Sequence, residues 1–346
     1  FILKDSIIAS NKLIEVIQSK EKIMILGDYD VDGTCGVSMF YLFLKEFGLE
    51  PKIYIPDRIT EGYGISNKAI NEAHEEGIKL IVSIDCGITA VEQIKYAKEL
   101  GIEFIICDHH QPPEIIPDAF AILNPLQKDD KYEYKFLCGT GVAFKLIQAI
   151  CFKLGKTEIP ERLIDFVAIA SASDIVPITG ENRILVREGL ELLKKNPRPS
   201  FKILMEKSKI KPETLSVNNI VFSIAPRINA AGRLGDAKKV VDLLTSLDID
   251  ELENMVTALN KDNESRKELD KVVTDFVYEY CDENNLKEKF NSIILHNDNW
   301  HPGIVGIVAA RLVERYHVPS IVLTTVNGVA KGSARSINGF NVYEDR

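Results

Sequence analysis

Three short apolar runs, KIMIL at residues 22–26, KLIVSI at 79–84 and EFIIC at 103–107, are separated by segments long enough to be helices. A strand with one wet face alternates apolar and polar residues, whereas a strand covered on both faces reads as a continuous apolar run. The runs therefore predict strands of a parallel sheet with helices packed on it. The helices expected around them cover 34–47, 66–76 (opened by Ser66 as N-cap) and 89–100, with a further short strand at 52–56. The expected fold class is α/β, a doubly wound and mostly parallel sheet.

Past Asn124-Pro125 the pattern turns helical over 139–154, 160–173 and 183–195. Residues 201–246 are mixed and helix-leaning, with a small-residue segment at 225–235. Residues 250–282 set Leu252, Val256, Leu259, Leu269, Val272, Val273 and Phe276 at helical spacing among dense charge, with no second apolar face. That pattern predicts a spacer helix between domains. The α/β rhythm returns with strand SIIL from 292, a helix over 304–316, strand SIVLTT from 320 and a last strand near 329–336. The division expected is a catalytic α/β domain at 1–200, a helical connection at 201–248, the long spacer helix at 249–284 and a smaller, incomplete α/β domain at 285–346. A length of 346 residues suits about two domains.

Composition narrows the functional classes. With 45% hydrophobic residues the chain can bury a core and is not a disordered segment. No run of about 18 apolar residues offers a membrane span. The chain opens on Phe1 without a leader and stops at Arg346 just after a motif-rich stretch, so a fragment of a longer protein is expected. Cys35, Cys86, Cys107, Cys138, Cys151 and Cys281 form no CxxC pair and sit mostly in apolar runs. They are expected to be buried free thiols in a reducing compartment, the cytoplasm. The net charge of −9 argues mildly against nonspecific nucleic-acid binding. That argument weakens if many of the acids are gathered around metal ions.

The chemistry-bearing residues stand at strand ends. The first strand runs into Gly27-Asp28-Tyr29-Asp30-Val31-Asp32-Gly33, the third ends at Asp85, and the fourth ends in Asp108-His109-His110. Ligands of an open α/β sheet bind at the carboxyl ends of its strands, so these clusters are expected in one crevice. Asp174, at the end of an apolar helix, is the fourth member. So many carboxylates repel one another and raise one another's pKa unless cations neutralise them. Oxygen ligands with one or two imidazoles suit Mn²⁺, with Mg²⁺ as the common substitute. Six or more ligands exceed the needs of one ion that retains water, so two ions sharing a carboxylate are expected. A pair of metal ions is the usual device for phosphoester hydrolysis. Each piece alone has a plainer reading. DxDxDG resembles a calcium loop, but the twelfth residue from Asp28 is Met39 where that loop needs Glu. An isolated strand-end Asp is as often a helix N-cap.

Taken in order, GDYDVDG, SIDCGI, CDHHQP and ASASDIVPITGENR resemble the four phosphoesterase motifs of the DHH family. APRINAAGRL at 225–234, WHPGIVG at 300–306 and KGSARS at 331–336 resemble its RecJ branch, bacterial exonucleases specific for single-stranded DNA. The resemblance runs from about residue 20 to the end of the chain. It implies a DHH domain and a DHHA1 domain joined by a long helix around a central cleft, with an OB-fold domain to follow. It implies 5′→3′ hydrolysis of single-stranded DNA to mononucleotides with two Mn²⁺ or Mg²⁺ ions, in recombination and repair. It further implies a monomer without membrane attachment, and a helicase and a single-strand-binding protein as protein partners. Two other readings stay open: a DHH phosphoesterase acting on short oligonucleotides or cyclic dinucleotides, or a pyrophosphatase, and, from another class, a catalytically silent scaffold.

Asp28, Asp30, Asp85, His109 and Asp174 are the expected metal ligands, with Asp85 as the bridge. Asp32 is a ligand or stands just behind one. Asp108 points away from His109 if the strand continues, so it is read as orienting an imidazole. His110 is placed to contact the scissile phosphate or to protonate the leaving oxygen. Arg227, Asn229 and Arg233 lie where small residues let the backbone approach a phosphate. Ser333 and Arg335, and with them Arg58, are implied by the resemblance to hold the 5′-terminal phosphate and so set one-nucleotide steps. His301, beside Trp300, is implied to shape the nucleic-acid cleft. Lys202, Lys207, Lys209 and Lys211 form a basic run that reads first as a solvated face.

Overall fold

The structure, a computed structural model, describes residues 3–234 and 236–342. Gly235, which closes the small-residue segment, and the last four residues of the smaller α/β domain lie outside the described residues. The chain forms two compact units: residues 1–232 with 236–258, and residues 233–235 with 259–346.

The first unit begins with helix α1 (Ser6–Ser19) and then alternates: β1 (Ile23–Gly27), α2 (Val31–Lys45), β2 (Lys52–Tyr54), α3 (Asn67–Glu75), β3 (Leu80–Ile84), α4 (Val91–Glu99), β4 (Glu103–Cys107) and β5 (Ala121–Leu123). The five strands are parallel, in the order β2-β1-β3-β4-β5. Every residue of β1 and β3 is buried, as the unbroken apolar runs require. Met24, Leu26, Ile81, Phe104 and Ile106 pack against Ala69, Ile70 and Ala73 of α3 and Ile94 and Ala97 of α4. The opposite face is covered by α2 and by α5 (Gly139–Leu154). Register is what builds the site. Gly27 lies opposite Ile84, and Ile84 opposite Cys107, so β1, β3 and β4 end level. The next residue on each chain, Asp28, Asp85 and Asp108, therefore emerges along one line.

Helices follow: α6 (Glu158–Glu161), α7 (Ile164–Ser173), α8 (Gly180–Lys195), α9 (Pro199–Lys207), α10 (Val217–Asn219), a π-helical turn (Ile220–Ile224), α11 (Ala225–Leu234) and α12 (Lys238–Thr245). The 35-residue α13 (Ile249–Glu283) leads from the first unit into the second. There α14 (Leu286–Lys289), β6 (Ile293–His296), α15 (Val305–Tyr316), β7 (Ser320–Val326) and β8 (Val329–Arg335) form a three-stranded sheet with its helices. β6 and β7 are parallel, β7 and β8 antiparallel.

Several expectations need correction. Helix α1 and strand β5 are additions to the expected elements. In α1 the apolar Ile7 and Ile8 are exposed beside buried Ala9, Leu13, Val16 and Ile17, which blurs its stripe. β5 is only three residues long. The helix expected from 34 starts at Val31, because the Asp30 side chain caps it by accepting from the Gly33 N–H at 3.0 Å. The single helix expected over 160–173 is two, α6 and α7. On α13 the second unit is packed by Val273, Val277 and Cys281, while Leu269, Val272 and Phe276 are exposed. All six cysteines are buried and unpaired. Among the described residues no helix is long and apolar enough to cross a membrane.

Candidate metal centre

Four chain segments deliver the acids and imidazoles to one place in the first unit. Asp28 and Asp30 follow β1, and Asp32 lies in the first turn of α2. Asp85 follows β3, Asp108, His109 and His110 follow β4, and Asp174 ends α7. Their ligand atoms fall into three groups, each within 4.8 Å: Asp28, Asp30 and Asp85; Asp32, His109 and Asp174; Asp85, His109 and His110. The Nε2 atom of His109 lies 3.1 Å from Asp85, 3.6 Å from Asp174 and 3.8 Å from Asp32.

These side chains are not satisfied by one another. Asp28 Oδ1, Asp85 Oδ1 and His109 Nε2 are buried and lack hydrogen-bond partners. A buried polar atom without a partner is costly, and several facing each other mark a site built for something else. Burial and the neighbouring Asp30 push the Asp28 carboxyl up to about 8. Burial together with Asp32 and Asp30 does the same to Asp174, also to about 8. Asp30 and Asp85 are raised too, first by burial and then by the other carboxylates. Burial lowers the pKa of His109 despite the nearby Asp32, so its imidazole is neutral and can offer a lone pair. Buried carboxylates with a neutral imidazole are the donor set of a hard or borderline divalent cation.

Asp32 and Asp108 differ from the rest. Both oxygens of Asp32 accept backbone N–H bonds at the start of α5, from Gly139 at 2.6 Å and Thr140 at 2.8 Å. The Thr140 hydroxyl also donates to the Asp32 carbonyl. Asp108 accepts from the N–H groups of Ile88, His109 and His110, and its Oδ1 lies 2.7 Å from His110 Nδ1. Burial alone would raise its pKa, but the His110 bond and charge hold it below the usual carboxylate range. In return, Asp108 outweighs the burial of His110 and lifts that imidazole to about 9. Asp108 thus orients an imidazole, and the imidazole is that of His110.

Close packing fixes Asp85. A methyl group on Gly139 would stand 2.6 Å from both Cα and Cβ of Asp85. Gly139→Ala should therefore displace the carboxylate and weaken Mn²⁺ binding roughly 10- to 100-fold, as losing a supporting contact typically does. Calorimetric titration would show it; unchanged affinity would mean Asp85 is not positioned by this contact.

The small-residue segment forms helix α11 (Ala225–Leu234). Its small residues meet protein: a methyl on Gly232 would lie 2.3 Å from the Tyr29 carbonyl oxygen in the Asp28–Asp30 loop. Arg227 and Asn229 ride on this helix in the first unit. The Arg58 guanidinium lies over the Tyr29 ring, 4.9 Å from its centroid.

A second cluster belongs to the second unit. Ser333 and Arg335 on β8 face the N-terminus of α15, where a methyl on Gly306 would stand 3.2 Å from Ser333 Oγ and 3.6 Å from Arg335 Nη2. Arg335 donates to Ser333 Oγ at 3.0 Å. Just before α15, Arg233 donates to the Gly303 carbonyl at 3.0 Å, and His301 Nδ1 accepts from the Gly303 N–H at 3.0 Å. A helix N-terminus with a hydroxyl and a guanidinium beside it suits an anion. Sequence reasoning missed Tyr63, whose hydroxyl reaches Asp85 and His110, and the amides of Gly139 and Thr140. The only local signals were the glycines flanking Tyr63 and the helix start at Cys138-Gly139-Thr140.

Residues 22–171 match the model of the DHH family, N-terminal domain, and residues 275–344 that of the DHHA1 domain. The single-stranded-DNA-specific exonuclease RecJ of Bacillus subtilis is 40% identical over 338 residues, 97% of this chain and 42% of that protein. Its counterpart from Escherichia coli is 33% identical over 338 residues, 93% of this chain and 59% of that protein. The chain thus spans about half the length of these curated relatives. Among solved structures, an exonuclease RecJ bound to manganese aligns with a TM-score of 0.85 at 31% identity, covering 99% of this chain and 85% of that one. RecJ from Thermus thermophilus in complex with Mn²⁺ aligns with a TM-score of 0.84 at 30% identity, covering 99% and 49%.

Proposed function

The chain belongs to the RecJ branch of the DHH family, and on that footing we propose that it degrades single-stranded DNA from the 5′ end to mononucleotides with the help of two divalent cations, Mn²⁺ or Mg²⁺. The work served is DNA recombination and repair. One observation carries the reading: Asp85 groups with Asp28 and Asp30, and its carboxylate also lies 3.1 Å from Nε2 of His109, which groups with Asp32 and Asp174, so one buried acid can stand between two cations. Asp28, Asp30 and Asp85 would hold one; His109 and Asp174, with Asp32 and Asp85 beside them, would hold the other. When bound, the cations supply the positive charge that lets water attack a phosphodiester between acidic walls.

The chain's own groups do the rest. The α5 amides fix the Asp32 carboxylate against His109. Asp108 takes the Nδ1 side of His110, which leaves Nε2 as the nitrogen that can pass a proton to the departing 3′ oxygen. In the second unit, Ser333, Arg335 and the first amides of α15 serve as anchor for a terminal phosphate. Arg58, Arg227, Asn229, Arg233 and His301 are proposed as further nucleic-acid contacts. A monomeric, cytoplasmic enzyme working with a helicase and a single-strand-binding protein belongs to the same proposal.

Removing the guanidinium tests the anchor. Arg335→Ala should cut the preference for 5′-phosphorylated over 5′-hydroxyl ends by roughly 10-fold or more, the value of a charge-assisted hydrogen bond. Affinity for Mn²⁺ should stay the same. Unchanged discrimination between the two ends would remove Arg335 from this role. The overall reading is tested on a size series with Mn²⁺: long single strands, duplexes, dinucleotides and cyclic dinucleotides. Single strands should shorten from the 5′ end and a chelator should stop the reaction. Faster cleavage of the small substrates would overturn it.

A further inference from the structure

One group outside the acids and imidazoles touches both halves of the metal centre. The Tyr63 hydroxyl donates to the backbone carbonyl of Asp85 at 3.0 Å. Its oxygen also lies 3.2 Å from Nδ1 and 3.4 Å from Nε2 of His110, against the side of the ring that carries both nitrogens. The two rings meet edge to face, with centroids 5.7 Å apart.

Asp85 needs such a hold. Its φ is 62°, in the left-handed region that a non-glycine residue keeps only when its surroundings enforce it. Its N–H is tied to the Cys107 carbonyl at 2.9 Å, and its own carbonyl is the one that takes the Tyr63 hydroxyl. His110 needs one as well. Asp108 fixes the ring at Nδ1, but a single hydrogen bond leaves the ring free to swing about it. Tyr63 closes off that swing. The loop that presents it is shaped for the purpose: Gly62 and Gly64 have φ of 89° and 88° with no atom near enough to crowd a side chain. Glycine is required there by backbone conformation and not by space.

We propose that Tyr63 is a positioning residue whose hydroxyl couples the left-handed Asp85 backbone to the His110 imidazole, so that the shared carboxylate and the proton-carrying ring are held as one unit. The inference rests on the hydrolytic reading of this centre and adds a group that holds no cation and acts through Asp85 and His110. It makes the hydroxyl, and not the ring, the part that matters.

Tyr63→Phe keeps the ring and removes the oxygen, and Tyr63→Ala removes both. On single-stranded DNA with Mn²⁺, both should lower kcat by roughly 10- to 100-fold, the scale of a small misplacement at a reacting centre. KM should stay within about twofold. A second measurement needs no turnover. In ¹⁵N spectra of the protein with Mg²⁺ alone, the His110 ring nitrogens should give one sharp set of signals, which shifts and broadens in Tyr63→Phe. A Phe variant with the original kcat, whatever Ala does, would overturn the proposal. So would a rise in KM with kcat unchanged, which would make Tyr63 a substrate contact, or an unaltered His110 spectrum. If the unsubstituted chain fails to cut DNA, the functional reading falls, and the His110 spectrum still decides this inference.

Discussion

Asp85→Asn should lower kcat/KM on single-stranded DNA by on the order of 10³-fold or more while raising the melting temperature of the cation-free protein. Both effects have one origin. Asp85 is buried, one of its oxygens has no hydrogen-bond partner, and its carboxylate faces Asp28, Asp30 and Asp32. Burial and those neighbours disfavour its charge, so without cations the acid is a burden on the fold. Asparagine has nearly the same shape and carries no charge. It relieves the repulsion and removes the ligand common to two groups. A residue that merely supports the fold would show the opposite coupling, with activity and stability falling together. Melting curves in a chelator, set beside rates with Mn²⁺, separate the two; a parallel loss would argue against a shared ligand.

The same acids make stability depend on pH in a direction opposite to the ordinary carboxylate. In the cation-free fold Asp28 and Asp174 titrate near 8, and Asp30 and Asp85 are also raised, whereas in the unfolded chain all four titrate near 3.8. Between these values the folded state binds more protons than the unfolded one. The slope of unfolding free energy against pH is therefore negative. Below about pH 4 both states are protonated and nothing is lost. From there to about pH 8 the cation-free protein should become steadily less stable. Divalent cations bind the deprotonated site, so their stabilisation should grow over the same range. At a concentration 100 times its Kd, one ion adds about 2.7 kcal/mol. The Mn²⁺-induced rise in melting temperature should be larger at pH 8 than at pH 5. An equal rise at both would show that the acids are not titrating as a cluster.

What can be read from the sequence follows from the range of the forces involved. The strands are legible because burial on both faces leaves an unbroken apolar run, and β4 (Glu103–Cys107) falls on the residues expected. The acids are legible because Asp28, Asp85 and Asp108 each sit one residue past a strand, and parallel register then aligns them. The start of α2 is not, since Asp30 serves both as N-cap and as candidate ligand, and a run of alternating acids hides its capping role. The support around Asp32 is hidden because its donors, Gly139 and Thr140, lie 107 and 108 residues away. Tyr63 is hidden for a similar reason, reaching His110 across 47 residues. The exposed Leu269, Val272 and Phe276 of α13 mimic a packed face, because apolar residues on more than one side of a long helix give no single period.

Anomalous scattering from crystals soaked in Mn²⁺ tests the central claim most directly. The expected map has two peaks among Asp28, Asp30, Asp85, His109 and Asp174, with the Asp85 carboxylate touching both. A single ion, or ions held by residues outside this cluster, would contradict it.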